Sequence, residues 1–240
     1  MKLWMRFGLV ALTGATLASV LIVRSERTFA PPATITSAKI LRTCSTVAVI
    51  GDSWVANRAL DEPLRASLGT SVISYGYPGA KSRRIYEELS TNDALLNNAT
   101  VCNVIVVAGT NDTAGHIGSD FYAYHMSLIA RTFIAHGIHP TLVSVPEWDS
   151  TRPEALGASS AKHNLFRILY DGGQRNVILS YRDALREEMM REHISADVVD
   201  FSANYATDYS NQFHLNERGR AKLVAAITAQ LRPILEHSAH

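Results

Sequence analysis

The chain has 240 residues, of which 47% are hydrophobic and 19% are charged, and its formal net charge is +1. This length is enough to bury the core of one globular domain. The balanced charge does not indicate nucleic acid or an anionic surface as a partner, and no zinc-binding spacing or phosphate-loop motif occurs in the sequence. We therefore predict one domain that uses no metal and no cofactor.

The beginning of the chain has the pattern of a targeting or membrane segment. Two basic residues precede an uncharged apolar run from Phe7 to Val23. We predict that residues 1–23 form an uncleaved membrane anchor, with a cleaved secretory signal as the alternative, because no clear cleavage site follows the run. Both alternatives place the remaining chain outside the cytoplasm, in the periplasm or at the cell surface. Residues 24–40 are predicted to be a linker.

Residues 41–240 alternate between short β-branched runs and helical patterns. This order predicts a single α/β domain with a mostly parallel sheet that is covered on both faces. The predicted strands are 46–51, 71–75, 103–109, 140–145 and 196–201, and the predicted helices are 55–68, 81–90, 119–136, 160–170, 181–193 and 217–236. Ligands bind at the carboxyl ends of the strands in such a sheet, so the residues that follow each strand are candidates for function.

Ser53 lies where the first predicted strand ends and a helix begins. Gly51 allows a sharp turn there, and the free N–H groups at the start of the helix would lie beside the serine hydroxyl. Ser53 is therefore a candidate nucleophile, although a serine at this place can also simply cap the helix. A nucleophilic role requires a base and an oxyanion hole at the ends of other strands.

Three further stretches supply candidates for those groups. They are residues 75–82, 106–112 and 213–219, which contain Gly79, Asn111 and His214. His214 is a candidate base because an imidazole titrates near working pH. Each residue also has a purely structural alternative: Gly79 in a turn, Asn111 as a helix cap, and His214 as a loop histidine.

Ser53, Gly79, Asn111 and His214, in this order, resemble the four signature blocks of the SGNH hydrolase family, the GDSL-like esterases and lipases. The resemblance implies a flavodoxin-like three-layer α/β/α fold with a five-stranded sheet. It also implies an acyl-enzyme on Ser53 with His214 as the base. The backbone N–H groups of Ser53 and Gly79 and the side-chain amide of Asn111 would form the oxyanion hole, where losing one donor typically costs about 3 kcal/mol.

One position departs from the family's pattern. The family usually has an aspartate three residues before the histidine, where this chain has Asn211, and the nearest acidic residue upstream is Asp208. Asn211 or a backbone carbonyl could orient His214 in a Ser–His dyad, or Asp208 could reach it through a loop. A third alternative is a degenerate site, which would make the protein a membrane-anchored module that binds an acylated glycan.

The sequence around the first two blocks resembles family members that are linked to bacterial surface polysaccharides. This resemblance implies a substrate in which small acyl groups such as acetyl are carried by carbohydrate outside the cytoplasm. The acyl group could be removed by hydrolysis or transferred to another acceptor. Trp54 and Trp148 are candidate contacts for such a substrate, and for Trp148 the alternative is a Trp that only covers a loop.

The chain contains two cysteines, Cys44 and Cys102, which lie nine residues before Ser53 and Asn111, respectively. The sheet order of the family implies that the two corresponding strands are parallel neighbours. The equal offsets would then place both cysteines at one end of the sheet, away from the chemistry, where they could form a disulfide. Two free cysteines are the alternative.

Overall fold

Five parallel strands form one sheet in the order β2-β1-β3-β4-β5. The computed structural model of the chain describes residues 27–33, 40–145 and 161–238. All five predicted strands are present, and the predicted α/β class with a parallel sheet is confirmed. The strands are β1 Thr46–Gly51, β2 Ser71–Gly76, β3 Val101–Val107, β4 His139–Val143 and β5 Asp197–Val199.

Ten helices are described, and seven of them correspond to the six predicted ones. They are α1 Ser53–Ala56, α2 Asp61–Leu68, α3 Ser82–Ser90, α4 Asp93–Leu96, α5 Thr110–Ala114, α6 Ser119–Ala135, α7 Ala161–Tyr170, α8 Ile178–Arg191, α9 Tyr205–Asp208 and α10 Glu217–Ser238. The predicted helix 55–68 is divided into α1 and α2. Arg58 between them has a left-handed φ of 56°, and the side chain of Asn57 accepts a hydrogen bond from the Ala59 N–H at 2.9 Å.

The sheet has a hydrophobic core on each face. Along β1, Ala48 and Ile50 belong to one core cluster, while Val47 and Val49 belong to the other. This alternation follows from the two-residue period of a strand. Helices α3, α6 and α8 contribute to the first cluster, and helices α2 and α10 contribute to the second.

The carboxyl ends of the strands are aligned along one edge of the sheet, which we call the carboxyl edge. Gly51 at the end of β1 pairs with Gly76 of β2 and with Val107 of β3, and Val107 pairs with Val143 of β4. A Cβ at Gly51 would lie 2.2 Å from the carbonyl oxygen of Val107. The close approach of β1 and β3 at this edge therefore requires glycine at residue 51.

The disulfide joins Cys44, just before β1, to Cys102, the second residue of β3. Their Cα atoms are 4.8 Å apart. The pairing that the family resemblance implied is therefore confirmed. Because β1 and β3 run in the same direction, this link lies at the edge of the sheet opposite the carboxyl edge.

Residues 27–33, which we call the N-terminal strap, pack against helices α3 and α6. Ala30 is 5% exposed, and its N–H donates to Nε2 of His125 at 3.2 Å. The hydroxyl of Tyr124 donates to the carbonyl of Ala30 at 2.9 Å, and the hydroxyl of Tyr86 accepts from Ala33 at 2.6 Å. The prediction of a linker over 24–40 is therefore wrong for residues 27–33, because these residues are part of the packed domain.

His125 holds the strap as a neutral imidazole. Its Nδ1 lies 2.7 Å from the carbonyl oxygen of Phe121, so Nδ1 carries the hydrogen and Nε2 is the acceptor for the strap. Burial lowers the pKa of His125 to about 4.

Among the helices that the structure describes, none has the length and apolar character needed to cross a membrane. The predicted anchor, residues 1–23, and the candidate substrate contact Trp148 lie outside the described residues.

Candidate active site

Ser53 and His214 are in hydrogen-bonding contact, although they lie far apart in the sequence. Ser53 is the first residue of α1, directly after β1, and His214 lies in the loop between α9 and α10. The Nε2 atom of His214 is 2.9 Å from the Oγ atom of Ser53. A hydroxyl at this distance from an imidazole nitrogen can pass its proton to it, which is how a serine becomes a nucleophile.

Asn211 fixes the tautomer of His214. The Oδ1 atom of Asn211 accepts hydrogen bonds from the backbone N–H groups of Phe213 and His214, each at 2.9 Å, and this identifies it as the oxygen of the amide. The Nδ1 atom of His214 lies 3.1 Å from the same oxygen and must therefore carry the hydrogen. Nε2 therefore carries no hydrogen and is the acceptor that faces Ser53. A base requires this tautomer.

Asp208 does not contact His214. Its buried carboxylate lies 2.6 Å from Nζ of Lys222 and 3.2 Å from Nε of Arg218, and it also accepts from the N–H of Asn204 at 2.7 Å. The hydrogen bond from Lys222 holds the pKa of the Asp208 carboxyl below its ordinary value. The alternative in which Asp208 orients His214 is therefore wrong, because the carboxylate is paired with the next helix, α10.

Two of the three predicted oxyanion donors are unused. The backbone N–H groups of Ser53 and Gly79 donate to no acceptor among the described residues. Gly79 has a left-handed φ of 70°, and the space where a Cβ would project is open. Asn111 differs, because its Nδ2 donates to Oδ2 of Asp52 at 3.2 Å and to the carbonyl of Ala80 at 3.0 Å. An oxyanion would have to share or replace one of these two bonds.

The sequence matches no family model and no curated protein, whereas many solved structures resemble the fold. A GDSL-like lipase from Bacteroides thetaiotaomicron is 17% identical with a TM-score of 0.57, over 84% of this chain and 92% of that one. The chain has the SGNH hydrolase fold.

Two esterases share this SGNH fold. An esterase from Pseudoalteromonas sp. that is inhibited by monoethylphosphonate is 13% identical with a TM-score of 0.56, over 80% of this chain and 99% of that one. A catalytic mutant of an acetylxylan esterase from Geobacillus stearothermophilus is 14% identical with a TM-score of 0.54, over 81% of this chain and 96% of that one.

Two buried carboxylates connect the loops of this SGNH fold. Asp52 is 1% exposed and accepts from Asn111, while Asp112 is 0% exposed and accepts from the N–H and Oγ of Ser82. Burial raises the pKa of Asp52 to about 7 and that of Asp112 to about 6. Neither role could be identified from the sequence. The only signal was that each acid is adjacent to a predicted site residue.

Trp54 directly follows Ser53 in α1 and is 6% exposed. Its Nε1 donates to the carbonyl of Phe213 at 2.8 Å, and its ring packs edge-on against Phe201 and Tyr209. So little of the ring is exposed that it offers almost no surface to a substrate. The structure therefore replaces the expected substrate contact with a connection between α1 and the His214 loop.

Proposed function

We propose that the protein is a member of the SGNH hydrolase family and acts as a serine-dependent carboxylic ester hydrolase. The 2.9 Å contact between Nε2 of His214 and Oγ of Ser53 carries this proposal. The SGNH fold and its lipase and esterase neighbours support it. Fold similarity alone would not assign an activity, so the proposal rests on the geometry of the site.

In the proposed reaction, Oγ of Ser53 attacks the ester carbonyl while its proton passes to Nε2 of His214. The N–H groups of Ser53 and Gly79 receive the negative oxygen, and Asn111 joins them when one of its present bonds is released. The tetrahedral intermediate collapses as His214 protonates the departing alcohol, which leaves an acyl-enzyme. Water, activated by His214, then attacks the acyl carbonyl, and the carboxylic acid leaves as Ser53 regains its proton.

For the substrate, we propose small acyl groups, acetyl above all, carried by carbohydrate outside the cytoplasm. The sequence resemblance to members linked to surface polysaccharides and the acetylxylan esterase neighbour support this class. The disulfide is consistent with an oxidising compartment. An anchor at residues 1–23 would hold the enzyme at a membrane, and transfer of the acyl group to a second sugar would use the same acyl-enzyme.

A second candidate is a binding module with a degenerate site. The observation that favours it is Asn211, whose amide cannot carry the charge that normally stabilises an imidazolium. Binding alone does not require a histidine nitrogen placed against a serine hydroxyl. We therefore rank the binding module below the hydrolase.

The full chain, in detergent, tests the proposal with p-nitrophenyl acetate and then with an acetylated polysaccharide. We expect acetate release that falls about 10³-fold or more in Ser53→Ala and in His214→Ala. Ser90→Ala, a helical serine whose Oγ donates to the Glu87 carbonyl at 2.8 Å, is the matched control and should keep full activity. A folded wild-type protein that releases no acetate and is not labelled by a fluorophosphonate probe would contradict the hydrolase and favour the binding module.

A further inference from the structure

Two parallel hydrogen bonds join helix α1 to the His214 loop. Ser53 meets His214 at 2.9 Å, and the neighbouring pair, Trp54 and Phe213, is joined at 2.8 Å by the indole N–H and the backbone carbonyl. The residue after the nucleophile thus holds the residue before the base. A displacement of the His214 loop would have to break both bonds or bend the backbone between them.

The Trp54 ring also supports the beginning of the same loop. Its centroid is 6.3 Å from that of Tyr209, which forms an antiparallel bridge with Leu215 across the base of the loop. On another side it meets Phe201, just beyond β5, at 6.4 Å. The loop therefore rests on a buried ring that is fixed in the core, and this ring carries a hydrogen-bond donor at its outer edge.

His214 needs this support because Asn211 holds it weakly. The Asn211 oxygen is shared among three donors, namely Nδ1 of His214 and the backbone N–H groups of residues 213 and 214. It also carries no full charge, and a hydrogen bond between neutral groups contributes less than one to a carboxylate. The orientation of the imidazole must therefore depend more on the backbone position of the loop than it would beside an aspartate.

We propose that Trp54 is a positioning residue for the base. Its indole N–H fixes the carbonyl of Phe213, and this bond keeps Nε2 of His214 within hydrogen-bonding distance of Ser53 Oγ. This role rests on the proposed hydrolase function. It differs from the substrate contact that the sequence suggests for Trp54, because a side chain that is 6% exposed acts through the loop that it holds.

Trp54→Phe tests the role, since it keeps an aromatic ring and removes the donor. We expect kcat for p-nitrophenyl acetate to fall about 5- to 10-fold while KM stays within about 2-fold, as for the loss of one hydrogen bond. Thr70→Val is the control. It also removes a side-chain donor to a backbone carbonyl, that of Ser45 at 2.9 Å, but it lies at the opposite edge of the sheet and should leave both constants unchanged.

Site-specific replacement of Trp54 by 3-benzothienylalanine gives a second variant that matches the shape of the indole and lacks the N–H. It should reproduce the kcat effect of Trp54→Phe without a loss of packing. In an Asn211→Asp background, where a carboxylate can orient His214 directly, we expect the effect of Trp54→Phe on kcat to shrink to about 2-fold or less. This coupling is a readout that a merely structural role would not change.

The same measurements can overturn the role. A raised KM with unchanged kcat would make Trp54 a substrate contact, and a lower melting temperature with unchanged kcat would make it a core residue only. Equal effects of Trp54→Phe in the wild-type and Asn211→Asp backgrounds would show that Trp54 and Asn211 act independently.

If wild-type protein shows no turnover that depends on Ser53, the hydrolase proposal fails and this role fails with it. If the wild-type protein is active and Trp54→Phe has the same kcat, only the positioning role is contradicted and the hydrolase proposal stands.

Discussion

At the scale of single residues, Asn211 offers the imidazole of His214 an acceptor without a charge. We predict that Asn211→Asp raises kcat about 10-fold or more, because a carboxylate stabilises the imidazolium that forms when Ser53 attacks. A nearby negative charge also favours protonated histidine. The acidic limb of the kcat–pH profile should therefore move to higher pH, which steady-state kinetics on p-nitrophenyl acetate would measure.

Asn211→Ala is the matching loss of function, and we expect it to lower kcat because Nδ1 then loses its acceptor. If Asn211→Asp and Asn211→Ala both leave kcat and the pH profile unchanged, Asn211 does not orient the base.

The predictions for single residues rested on short motifs, and these motifs could not predict the contacts of Asp208 and Trp54. Ser53 and His214 could be predicted because each lies in a short block beside the end of a strand or the start of a helix. Asp208 could not be assigned, since its partners Lys222 and Arg218 come from the following helix and the sequence gives no sign of the competition. The direction in which the Trp54 side chain points depends on how α1 meets the loop, which no local pattern encodes.

At the scale of elements, buried carboxylates connect three loops at the carboxyl edge. Asp52, after β1, accepts from Asn111 in α5, and Asp112 in α5 accepts from Ser82 at the start of α3. The same elements were largely predictable, because strands with β-branched runs alternate with amphipathic helices. The short helices α4, α5 and α9 were missed, since a single turn leaves too few residues for a periodic pattern.

Asp112 makes the stability of these connections depend on pH. Its ordinary pKa is 3.8 and burial raises it to about 6, so between these values the folded protein keeps a proton that the unfolded chain releases. Stability from this group is therefore greatest at low pH and is lost as the pH rises from about 4 to about 6. Asp112→Asn keeps an acceptor for Ser82 and removes the titration.

We predict that the free energy of unfolding of Asp112→Asn, relative to wild type, increases between pH 4 and pH 7 by roughly 3 kcal/mol at most. Urea unfolding at a series of pH values measures this difference. Asp93→Asn, at an exposed helix start, controls for the removal of a carboxylate. A difference between Asp112→Asn and wild type that stays constant over this range would contradict the prediction.

At the scale of the whole molecule, the disulfide and the active site lie at opposite edges of the sheet. The bridge closes a loop across a sequence separation of 58. We predict that the double variant Cys44→Ala/Cys102→Ala loses about 4 kcal/mol of stability and keeps the wild-type kcat at temperatures where it is folded. Chemical denaturation and kinetics of the same samples would test both parts. A large fall in kcat in the folded variant would mean that the two edges are coupled.

The position of the N-terminal strap also determines which edge of the sheet lies nearest to the preceding residues of the chain. Arg27 of the strap is paired with Asp120 at the start of α6, and α6 begins at the carboxyl edge because it follows β3. If residues 1–23 hold the chain in a membrane, only residues 24–26 separate the bilayer from Arg27, and three extended residues span about 10 Å. The edge that carries Ser53 would then be held close to the lipid surface. The proposed enzyme would then act on esters displayed at that surface, so its position in the cell would restrict its substrates in addition to the chemistry of its active site.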